Sequence, residues 1–88
     1  MKLIVVIVRN KDSDNVLDKL IEADFGVTHI ASTGGFLRKG NATLFIGTEE
    51  ERVDRAMEVI RNATTAPEDN QRRATVFVLN VEEFAQLE

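Results

Sequence analysis

Apolar residues in this chain form two kinds of pattern, unbroken β-type runs and stripes at helical spacing. Leu3-Ile4-Val5-Val6-Ile7-Val8 is continuous and mostly β-branched, the pattern of a strand covered on both faces. Lys11-Asp12-Ser13-Asp14 interrupts the run and offers capping side chains for a helix. Val16, Leu17, Leu20 and Ile21 then recur at helical spacing, with Asp14, Asp18, Lys19 and Glu22 on the wet side. Phe25-Gly26 is expected to close that helix. Val27 to Ser32 and Ala42 to Gly47 read as the second and third strands. Thr48-Glu49-Glu50-Glu51 has the form of a capping box, and its acids suit a helix N-terminus. Val53, Ala56, Met57 and Ile60 are the apolar stripe of the helix that follows. Arg61 to Arg73 contains Pro67 and no periodic pattern, so a loop is expected there. Ala74 to Leu79 is the fourth strand, and Val81-Glu82-Glu83-Phe84 is a short tail with Val81 and Phe84 as expected anchors.

The order β-α-β-β-α-β predicts an α+β fold, the ferredoxin-like arrangement of a four-stranded antiparallel sheet with two helices on one face. The other face then needs a cover. Ile4, Val6, Val8, Val76 and Val78 point opposite to Leu3, Val5, Ile7, Thr75, Phe77 and Leu79, because side chains alternate along a strand. A sheet wetted on one side should alternate apolar and polar. Left bare, one set makes a larger apolar patch than a soluble monomer normally shows. The pattern predicts a homo-oligomer whose sheets pack together.

Composition bounds the class. With 88 residues the chain is one domain, residues 1–88, with a core that is marginal without help. It has no cysteine, which excludes disulfides and thiolate zinc sites as that help. A net charge of −4 argues against general nucleic-acid binding. The longest apolar run is too short for a membrane span or a signal-peptide core, so a cytoplasmic protein with no membrane contact is expected.

Catalytic candidates are few. His29 is the only histidine and lies in a strand, where a structural or surface role is the simpler reading. No Ser/His/Asp set and no cysteine nucleophile occur. Asp12 and Asp14 start like a calcium loop, but the required glycine and the closing glutamate are missing. The chain reads as a non-enzyme. The stretch Thr33-Gly34-Gly35-Phe36-Leu37-Arg38-Lys39-Gly40-Asn41 holds the components of a small nucleotide site. Its glycines allow close backbone approach, its phenyl ring can stack on a base, its cations suit a phosphate, and its amide suits an adenine edge. It fits neither the dinucleotide nor the P-loop fingerprint. Taken alone it also fits a plain glycine-rich connection, with Phe36 tucked into the fold or into an oligomer contact. Arg72 and Arg73, beside the last strand, are a solvated pair or further phosphate contacts.

Thr33-Gly34-Gly35-Phe36-Leu37-Arg38, followed by Gly40-Asn41, Thr43 and Gly47, resembles the signature of the PII-like cyclic di-AMP receptor family. Ala74 to Leu79 with Val81-Glu82-Glu83-Phe84 resembles that family's closing segment. The resemblance covers nearly the whole chain. It implies a homotrimer of ferredoxin-like subunits with the ligand, cyclic di-AMP, in clefts between neighbours. It also implies signal transduction through mobile loops read by an unidentified protein target, with no cofactor. Carried over, Phe36 and Leu37 pack on an adenine, Asn41 and the Gly47 backbone read its edge, Thr28 lies close by, and Gly34 and Gly35 let the backbone approach; Arg38 belongs to the same motif. Three departures stand out. Asp24 and Gly26 occupy positions where the family has Asn and Arg, so a phosphate contact worth roughly 1.5–3 kcal/mol is missing. The loop before the last strand is short, and Arg72-Arg73 stand where the family has Gly-Gly. Those arginines either replace the lost contact or mark another ligand. The alternative function is an interaction module with a decayed or altered site, acting through protein partners.

Overall fold

A computed structural model describes residues 1–30, 40–67 and 72–87. The chain runs β1 (Lys2–Arg9), α1 (Asn10–Glu22), β2 (Gly26–Ile30), β3 (Asn41–Thr48), a single 3-10 turn (Glu50–Arg52), α2 (Val53–Ala63) and β4 (Ala74–Asn80). The sheet order is β2-β3-β1-β4, with every neighbouring pair antiparallel. This is the ferredoxin-like arrangement expected from the pattern.

The registers settle which side each residue takes, since directly paired residues share a face. Ile4 lies between Ile46 and Val78, Val6 between Leu44 and Val76, and Val8 between Ala42 and Ala74. Ile4, Val6, Val8, Ala42, Leu44 and Ile46 of that face form the buried core with Val16 and Leu20 of α1 and Ala56, Val59, Ile60 and Ala63 of α2. Ala74 and Val76 pack partly against it, and Val78 at the edge is 41% exposed. The opposite face pairs Leu3 with Leu79, Val5 with Phe45 and Phe77, and Ile7 with Thr43 and Thr75. No described element of the chain lies over it. Phe77 is 52% exposed and Leu79 is 49% exposed.

The ends of the elements differ in part from the sequence expectations. Helix α1 starts at Asn10, directly after β1, and its N-cap residue Arg9 makes no side-chain cap hydrogen bond. Asp12 caps nothing because its carboxylate turns inward to Arg9. At the other end the left-handed position belongs to Asp24, φ 67°, not to Gly26. Phe25 N–H donates to Leu20 O and Asp24 N–H to Ile21 O, both at 3.0 Å, the two bonds of a Schellman closure. Phe25 and Leu20 are both buried and complete it with an apolar contact. The capping box at Thr48 does not form. Thr48 stays in the ladder opposite Lys2, so it is not free to cap, and a 3-10 turn intervenes before α2. Helix α2 runs through Arg61, Asn62 and Ala63, which takes three residues from the expected loop. Ile21 is exposed, whereas Val59, absent from the expected stripe, is buried. The tail keeps Val81 half-buried, but Phe84 is exposed rather than anchored against the described residues.

Candidate functional site

The candidate residues cluster on the open face of the sheet and at its two ends. Positions 41, 43, 45 and 47 of β3 share that face. Thr28 stands opposite Phe45 on β2, and both are exposed. Gly47 lies opposite Gly26 and Leu3, near Met1, whose Cε would be 3.6 Å from a Cβ built on Gly47. Asn41 begins β3 at the far end, opposite Arg9, and is half-buried. Between them, Thr43 is buried, and its hydroxyl finds no hydrogen-bond partner among the described residues. Asn41 and Gly47 are separated by most of β3, roughly 20 Å at about 3.4 Å per residue. One base cannot touch both within one chain. Gly34, Gly35, Phe36, Leu37 and Arg38 lie outside the described residues.

The turn that leads into β3 is tied to α1. Asn10 N–H donates to Gly40 O at 2.8 Å, and Gly40 adopts φ 93°, a conformation suited to glycine. The same first turn of α1 holds the start of the segment between α2 and β4. Asp12, 2% exposed, pairs with Arg9 Nη2 at 2.9 Å and accepts the Thr65 N–H at 3.1 Å. Arg9 Nη2 also donates to the Thr65 carbonyl and hydroxyl. Asn15 Nδ2 donates to Ala63 O at 2.9 Å. Arg73 donates to Thr64 O at 3.2 Å, so its guanidinium is partly committed to closing this segment. Arg72 is exposed. The roots of both connections thus meet at one helical turn.

Sequence reasoning missed Arg9 and Arg52. Arg52 lies 4.1 Å from the centroid of the Phe25 ring and donates to Ala23 O at 2.7 Å and Asp24 O at 3.2 Å. It places a cation beside Asp24 at the Gly26 and Gly47 end of the sheet. Nothing in its helical context marks it, because the contact spans residues distant in sequence. A groove of about 280 Å³ lies between the helices, lined by Lys19, Glu22, Arg55, Val59 and Asn62. It is on the side away from the open face and has no aromatic residue in its lining. No helix among the described residues is long and apolar enough to cross a membrane.

A split βαβ sheet with one face that no described element covers defines the class of small ferredoxin-like subunits. Within that class the family model for the cyclic-di-AMP receptor matches residues 1–72, and the chain belongs to this PII-like receptor family. It is similar to a protein of unknown function from Pediococcus pentosaceus ATCC 25745, known from its crystal structure. The two share 37% identity and a TM-score of 0.79, covering 98% of this chain and 96% of the other. The family match ends at Arg72, just before β4.

Proposed function

We propose that this protein is a non-enzymatic cytoplasmic receptor for cyclic di-AMP that works as a homotrimer. It holds the nucleotide between neighbouring copies and passes the bound state to a protein target through the connections around the site. Family membership over residues 1–72 carries this reading. The uncharged open sheet face supports assembly, because such a surface is more stable against another apolar surface than in water. The separation of Asn41 from Gly47 supports a site shared between copies, the Asn41 end of one chain meeting the Gly47 and Thr28 end of the next. Phe36 and Leu37 pack on adenine, Asn41 reads its edge, and Gly34 and Gly35 admit the backbone. Arg38 and the exposed Arg72 meet phosphate, while Arg73 braces Thr64. Asp24 has a structural reason to be there, because it supplies the left-handed residue that ends α1.

Thermal melting with cyclic di-AMP, set against ATP, ADP, cyclic AMP and cyclic di-GMP, tests the reading. A ligand at one hundred times its dissociation constant stabilises the folded state by about 2.7 kcal/mol. For a domain of this size that is a shift on the order of 10 °C. Phe36→Ala and Asn41→Ala should each remove most of it. No heat in calorimetry and no melting shift at high cyclic di-AMP would rule that ligand out.

A further inference from the structure

We propose, resting on the assembly described above, that the carboxy-terminal tail is the clasp between copies. In this arrangement Phe84 and Leu87 of one chain sit on the open sheet face of a neighbouring chain. The root of the tail is fixed: Val81 N–H donates to Met1 O at 3.1 Å, which extends the pairing of β4 with β1 by one residue. Beyond that bond, residues 82–87 make no hydrogen bond or ion pair among the described residues. Phe84 is nonetheless 64% exposed and Leu87 94% exposed. Two large apolar side chains on an otherwise unattached segment are poorly placed in water.

Residues 81–87 form neither helix nor strand within one chain. Val81, Phe84 and Leu87 recur every third residue, so a helical turn taken up at the contact would set them along one side, and the segment contains neither glycine nor proline to oppose it. Its own sheet face is not its seat, because Phe77, Leu79 and Phe45 remain exposed with the tail in place. The matching surface must be apolar and free of charge opposite the two side chains. The open face meets that description: between its two ends Leu3, Val5, Ile7, Phe45, Phe77 and Leu79 are accompanied only by threonines, Ile30 and glycines. Around a homotrimer each copy receives the tail of one neighbour on such a face and passes its own tail to the other, so every subunit gains the same contact. The acidic pair Glu82-Glu83 then stays at the wet rim.

The natural chain has no cysteine, so paired single-cysteine variants report the contact without background. Phe84→Cys is mixed in equal amounts with Phe45→Cys or with Phe77→Cys, assembled and mildly oxidised. The expected product is a disulfide joining two different chains. In parallel, Phe84→Asp/Leu87→Asp should raise the subunit dissociation constant at least tenfold in sedimentation, with an unchanged circular dichroism spectrum. If the unaltered protein assembles, the charged variant assembles equally well and no mixed disulfide forms, the clasp is wrong while the receptor reading stands. A disulfide formed within one chain carrying both cysteines, in place of the mixed product, also overturns it and seats the tail on its own face. A protein that sediments as a monomer at every concentration overturns both.

Discussion

The two faces of the sheet are made of nearly the same residues and have opposite fates. On the helix side, Ile4, Val6, Leu44 and Ile46 are completely buried under α1 and α2. On the other side, Leu3, Val5 and Ile7 alternate with them on the same strand, are only half-buried, and have no described element over them beyond their partners in β3 and β4. Hydrophobic content therefore does not distinguish core from surface here. The difference lies in which elements are available to cover each face, and both α-helices among the described residues lie on the same side. In the proposed assembly, the face that no described element covers is the one offered to other copies, which a small domain with a marginal core needs.

The covered side also contains a polar arrangement that ties the layers together, the buried Asp12 with Arg9 and Thr65. The largest effect is expected from Asp12→Ala. It leaves the Thr65 N–H without its acceptor and the Arg9 guanidinium without its counter-charge, holding only the Thr65 oxygens, and breaking a buried pair from one side costs about 3–5 kcal/mol. Asp12→Asn, which keeps an acceptor for the Thr65 N–H, should lose distinctly less. Chemical denaturation of the three proteins compares them directly, and equal stability for all three would mean that the pair contributes only to register.

Next comes Leu44→Ala on the helix side, for which a loss of about 3 kcal/mol is expected from the missing packing and the cavity it leaves. Its counterpart on the open face is Phe77→Asp. In dilute solution that change should alter the stability of the isolated chain by less than about 0.5 kcal/mol. At higher concentration it should weaken assembly by at least a hundredfold, because a carboxylate would be buried unpaired at the contact. Sedimentation and denaturation on the same samples separate the two readouts. If Phe77→Asp unfolds the dilute chain as severely as Leu44→Ala, the two faces are equivalent within one subunit and the contrast between them disappears.

Much of this was legible from residue order. Consecutive apolar positions in Leu3 to Val8 and Ala74 to Leu79 announced strands apolar on both sides, and the registers divide them between two faces as alternation requires. The sequence signature of the glycine-rich connection pointed to the receptor family that the match over residues 1–72 identifies. Element ends were less legible, because caps depend on what else a side chain is doing. Thr48 was expected to cap α2 and is held in the β3 ladder; Asp12 was expected to cap α1 and pairs with Arg9. Phe84 looked like an anchor by its type, yet it stands exposed among the described residues.

By itself, then, the amino-acid order determined the elements, their order in the chain and the presence of a second apolar sheet face, because these follow from periodicities of two and 3.6 residues within short windows. Tertiary structure alone decided that Asn41 and Gly47 stand at opposite ends of one strand. It also decided that Arg52 stacks on Phe25, and that Asp12 reaches Arg9 and Thr65. Those outcomes depend on which distant segments become neighbours. Strand pairing and helix packing set that, and local spacing carries no record of it.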